Sequence, residues 1–123
     1  MRGNNLIGYI VVLALCVACG NHSKEITGVD WDAWKADKNG CLEKRHAARR
    51  ELESQKEQLK SLSEMDIVNL MGRPDQTELY KRNQKFYTYF IAGGPGCPKS
   101  DTTTQKLIIR FNAMGLAKEV ALE

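Results

Sequence analysis

The chain has no apolar run long enough to cross a membrane. Its longest, Leu6 to Ala18, gives way to Cys19, Gly20, Asn21 and His22, short of the roughly 20 residues a spanning helix needs. It has no strong charge of one sign: 18 Lys and Arg stand against 15 Asp and Glu, a balance that argues against a nucleic-acid partner. Histidine is scarce. His46 and His22 are the 2 in the chain, and neither has a carboxylate or nucleophile at a recognisable spacing, so His46 reads as a surface residue and no catalytic set assembles. The expectation is a protein that is not an enzyme. Metal spacing is missing as well: His46 is five residues from Cys41 and nothing comparable flanks Cys97, which leaves no ligand set. The stretch AGGPGCPKSDTTT, Ala92 to Thr104, lacks the G-x-x-x-x-G-K-[ST] spacing of a phosphate cradle and leads into no helix, so it reads as a long hairpin loop. No cofactor and no metal are expected.

What is present begins with an export signal. Arg2 supplies a positive start, Leu6 to Ala18 an apolar segment, and Ala18 a small residue just ahead of Cys19, the arrangement that makes a cysteine the acylated N-terminus of a bacterial lipoprotein. Cys16 follows Leu15 and fails that requirement. It also occupies the place where such a signal normally carries an aliphatic residue, so ordinary cleavage after Gly20, releasing a soluble chain from Asn21, is the rival; an uncleaved anchor is weaker still. Gly20 rather than Asp follows Cys19, and by resemblance to bacterial lipoproteins this points to the outer membrane. The division is thus residues 1–18 signal, 19–28 acylated cysteine and polar tether, 29–123 one domain. Export leaves Cys41 and Cys97 in an oxidising compartment, where two leftover cysteines read as one disulfide, with free buried thiols as the alternative and half a metal site a distant third.

Asp30 can cap a short turn carrying Trp31 and Trp34 on one face, and Asn39-Gly40 breaks it. Cys41 to Leu62 contains no Gly or Pro and reads as one long helix. Its stripe of Cys41, Arg45, Ala48, Leu52, Gln55, Leu59 and Leu62 places Cys41 toward the core. The basic run Lys44, Arg45, His46, Arg49 and Arg50 could meet anionic lipid or an acidic partner, but the Glu residues among it read more simply as a solvated face. Ser63 and Asp66 form a capping-box pattern for a second helix, stopped by Gly72 and Pro74. Strands are expected at Thr77 to Lys81, Lys85 to Ile91 and Gln105 to Phe111, with a short extension from Leu116 to Val120. In the second strand both faces are bulky. Tyr87, Tyr89 and Ile91, or the alternate set Phe86, Thr88 and Phe90, should face a partner while the other set packs on the helices.

Two helices on a three-stranded antiparallel meander make an α+β fold. With Met71-Gly72-Arg73-Pro74-Asp75 after the capped helix, Tyr87-Thr88-Tyr89 in a strand, a glycine-bearing loop, and Leu107-Ile108-Ile109-Arg110-Phe111 followed by Gly115, Ser61 to Val120 resembles the BamE/SmpA/OmlA lipoprotein domain. The same layout is similar to the repeat of β-lactamase inhibitor proteins. The first resemblance implies an outer-membrane lipoprotein facing the periplasm, held by its acyl anchor. Its role would be that of a non-catalytic binding module or scaffold for another envelope protein, in outer-membrane protein assembly for instance. The second reinforces a binding role without naming the bound protein, and the alternative function is an inhibitor or immunity-type protein that binds and blocks an enzyme. Soluble periplasmic or secreted placement is the alternative location.

Overall fold

The computed structural model describes residues 26–98 and 103–123. Its sheet follows from the alternation in the sequence: β1 (Gln76–Tyr80), β2 (Gln84–Ala92), β3 (Gln105–Phe111) and β4 (Ala117–Leu122) pair antiparallel in chain order. The expected α+β class holds, but the meander has a fourth strand. The chain after Gly115 is more than an extension: it pairs with β3 from Phe111↔Ala117 to Leu107↔Leu122, and its Ala117 and Val120 are buried.

The helical half departs further from expectation. Among the described residues four short helices occur, α1 (Trp31–Ala36), α2 (Lys44–Ala47), α3 (Arg49–Gln55) and α4 (Glu64–Met71), with 3-10 turns at Lys38–Gly40, Lys56–Leu59 and Lys81–Asn83. The single helix expected from Cys41 to Leu62 is therefore broken, and Cys41 lies ahead of it. Three features break it, one of them Ala48, which at φ −89 and ψ −6 separates α2 from α3. Glu43 sits in the left-handed region at φ 62, and Gln55 at φ −119 hands the chain to a 3-10 turn. Helix-forming composition is a weak preference that tertiary contacts override. Here the overriding contact at the first break is Asp37, whose carboxylate accepts the N–H groups of Leu42 (2.7 Å) and Arg45 (3.0 Å) and so holds the entry to α2 in its bent path.

The capping box is formed. Ser63 Oγ accepts from the Asp66 N–H (3.1 Å), and the Asp66 carboxylate accepts from the Ser63 N–H (3.3 Å). α4 ends at Gly72, which takes φ 81, a conformation that costs glycine little. Trp34, Leu52, Leu59, Ile67 and Met71 from the helical layer close on Tyr89, Ile91, Leu107, Ile109, Phe111, Ala117 and Val120 from the sheet. Each Leu, Ile, Val, Phe or Met side chain so removed from water contributes roughly 1.5–3 kcal/mol. Ile26 joins this core, and Thr27 exchanges hydrogen bonds with the Gln55 side chain in both directions (2.9 and 2.7 Å), so packed chain begins ahead of Val29.

The two edges of the sheet differ. At β4, Ser61 N–H donates to Ala117 C=O (2.8 Å) and Ala117 N–H donates to Leu62 C=O (2.9 Å), so the start of that edge is already taken. Every residue of β1 is exposed.

Candidate functional site

The end of the sheet beside the Ala92 loop is built around charged groups that sequence reading placed elsewhere or passed over. Arg45, one member of the expected basic surface run, is 1% exposed. Its guanidinium pairs with Asp75, whose side chain is 4% exposed, while its Nε donates to Trp34 C=O (2.9 Å) and a terminal nitrogen to Phe90 C=O (3.1 Å). The cation also stacks 5.0 Å from the Trp34 ring centre and 5.9 Å from that of Tyr89. Asp75 accepts further from the N–H groups of Asn39 (3.1 Å) and Phe90 (2.7 Å). A buried ion pair offsets its desolvation only when extra hydrogen bonds complete it, and here they do. Asp37, fully buried, adds its two backbone contacts. The signal in the sequence was Arg45 itself, since a cation within an apolar stripe requires a buried anion.

The same end carries the cysteines. The sulfurs of Cys41 and Cys97 are bonded, with Cα atoms 5.2 Å apart. Cys41 reaches Cys97 from the turn before α2, not from a helix stripe. Gly40, at φ 66, lies against the β2 backbone so closely that a Cβ there would stand 2.6 Å from the Ile91 carbonyl carbon. Beside the disulfide is an open hollow of about 270 Å³ lined by Cys41, Glu43, His46 and Cys97 among others. His46 is exposed there, as are Lys44 and Arg50, whereas Arg49 donates to Gln105 (3.1 Å). Among the described residues no group of three His, Cys, Asp or Glu could hold a metal ion, and no helix is long and apolar enough to cross a membrane.

The expected partner-facing set Tyr87, Tyr89 and Ile91 points inward, which corrects the first of the two alternatives. Tyr89 and Ile91 are fully buried and Tyr87 packs against the same cluster. Tyr89 Oη donates to Gly72 C=O (2.8 Å), tying the sheet to the end of α4, and burial pushes its hydroxyl well above its ordinary pKa, with Tyr87 adding to the rise. Tyr87 Oη donates to Glu64 (2.9 Å). Burial, reinforced by that bond and by the Glu64 charge, pushes Tyr87 up to about 12.

The opposite face belongs to the alternate set. Phe90 is covered at its near end by the loop, since Gly94 lies against it. Phe86 and Thr88 are half-exposed. They share a shallow concavity of about 430 Å³ with Glu78, Tyr80, Lys106, Ile108, Glu119 and Ala121. Tyr80 meets Phe86 edge-on at 5.8 Å. Across the floor the Arg110 guanidinium donates to Glu119 (2.8 Å), and this bond holds the Glu119 carboxyl below its usual range. An apolar floor with a mixed charged rim suits an open binding face. Cys19, the expected acylation site, lies outside the described residues, as do residues 99–102 of the loop.

No family model matches the chain. No curated protein matches it. A solved structure described as the osmotically inducible lipoprotein OsmE is similar at 16% identity and a TM-score of 0.38, covering 51% of this chain and 66% of its own length.

Proposed function

We propose that this is a membrane-anchored lipoprotein on the periplasmic side of the outer membrane, acting as a non-catalytic binding module or scaffold for another envelope protein. One observation carries the binding role: the sheet face bearing Tyr80, Phe86, Thr88 and Ile108 is uncovered, while the opposite face of β2 and β3 is closed by helices. A half-buried aromatic floor rimmed by Glu78, Lys106 and Glu119 is the chemistry of a protein-binding surface. The anchor rests on Ala18 preceding Cys19.

Two measurements test the reading. A fatty-acid analogue fed to cells should label the wild-type chain and leave Cys19→Ser unlabelled; equal labelling of both removes the anchor. A photo-crosslinking residue at position 86 or 88 of the acylated chain should join one defined envelope protein, and Phe86→Ser should abolish that adduct while leaving the melting temperature within a few degrees. Adducts of the same pattern from position 118 would mean that the face has no special role.

A further inference from the structure

We infer that the free edge of β1 pairs antiparallel with β1 of a second copy of this chain, with Leu79 opposite Leu79 at the two-fold axis. This stands apart from the envelope-partner reading, because it uses the strand edge rather than the sheet face.

Leu79 is the first reason. By its register opposite Lys85, and the neighbouring pair Thr77↔Tyr87, it lies on the helix-covered side of the sheet. On that side Tyr89, Ile91, Leu107, Ile109 and Phe111 are fully buried, yet Leu79 is 72% exposed because the helical layer stops short of β1. A leucine on the core side of a strand with no helix above it is left to be covered from outside. An edge strand with unpaired peptide groups is itself a template for another strand.

Charge selects both the occupant and the register. Pairing that keeps the faces of the two sheets aligned must match residues of the same parity. The register using all of Gln76–Tyr80 would set Glu78 against Glu78, and like charges directly opposite destabilise a sheet. Moving the axis to Leu79 sets Glu78 opposite Tyr80 and takes the two Glu78 side chains from directly opposite to diagonal, with the Lys81–Asn83 turn of the other copy, which carries the cations Lys81 and Arg82, just beyond the paired residues. Among the described residues, none makes an ion pair with Glu78, Lys81 or Arg82. The strand is therefore complementary to itself about Leu79, as a two-fold interface requires.

Steric room and termination follow from the fold. Two bare β1 strands would separate the two helical layers, and both outer faces would join into one eight-stranded surface. The β4 edge is blunted at Ala117 by Ser61 and Leu62, so pairing closes at two copies instead of extending. A contact of one short strand is small, and the association is concentration-dependent.

The test uses the full chain as cells make it. Opposed Cα atoms in an antiparallel pair are about 4.5–5.5 Å apart, within disulfide reach, so Leu79→Cys should give a disulfide-linked homodimer on mild oxidation. Glu78→Cys, diagonal to itself, and Lys118→Cys, on the other edge, should give at least about tenfold less. Leu79→Lys, at an exposed position, should keep the fold and raise the dissociation constant of the purified chain in sedimentation by about tenfold or more. Any of four results overturns the proposal: equal linking at all three positions, stronger linking at Glu78→Cys, an adduct of Leu79→Cys with a different protein only, or a wild-type chain that sediments as a monomer at every concentration.

Discussion

The loop end of the sheet and its hairpin end are built on opposite principles. At the loop end Arg45, Asp75 and Asp37 are buried and bonded to six backbone groups, Gly40 presses on β2, and a disulfide joins the turn to the loop. At the hairpin end β1 is exposed throughout, Leu79 and Tyr80 stand in solvent, and the turn accepts Arg82 and Asn83 in the left-handed region. Structural constraint is concentrated at one end, which leaves the other free to carry surface. That division explains how a small domain can leave two strand faces bare and still hold one shape.

The largest effect should come from the buried pair. Asp75→Ala strands the Arg45 guanidinium and two backbone donors, and urea unfolding should show a loss of about 3–5 kcal/mol; a loss under about 1 kcal/mol would mean that the loop end is not where constraint lies. Next comes the disulfide. Cys41 and Cys97 are 56 residues apart, and the chain-entropy cost of such a loop makes Cys41→Ser destabilising by about 4 kcal/mol. Ser63→Ala removes a capping box between the two ends and should cost about 1 kcal/mol. Alkali gives the smallest and most local effect. Because the folded pKa of Tyr87 is raised to about 12, its contribution is full below about 10, the ordinary tyrosine value, and is lost as pH climbs from there toward 12. Stability of Tyr87→Phe should fall less steeply over that interval than wild type; parallel curves would show that the Glu64 contact does not hold in solution.

Much of the sheet was legible. β3 has its expected limits, β2 is longer by a residue at each end, and the capping box at Ser63 and Asp66 is formed as its spacing indicates. Period two correctly divided Phe86, Thr88 and Phe90 from Tyr87, Tyr89 and Ile91. It could not say which set was inside, because both are bulky and alternation carries no sign. The break in the long helix was hidden because Glu43 and Gln55 are ordinary helix residues; its first cause is the carboxylate of Asp37, which lies ahead of the helical stretch and takes the Leu42 and Arg45 N–H groups. The fourth strand was understated because AKEVAL has alanines where strands usually carry branched residues. Pairing with β3 supplies what propensity does not.

Asp75 also acts as a pin for alignment. Its carboxylate takes the Phe90 N–H that a further β1 residue would otherwise meet, while its own N–H donates to Thr88 C=O (2.9 Å). If β1 slid along β2 by two residues, the faces would be preserved and the hydrophobic pattern would raise no objection, but Arg45 would lose its anion. The charge buried at one end of the strand thus meters the position of Leu79 and Tyr80 at the other, much as a peg sets where a rule begins to count.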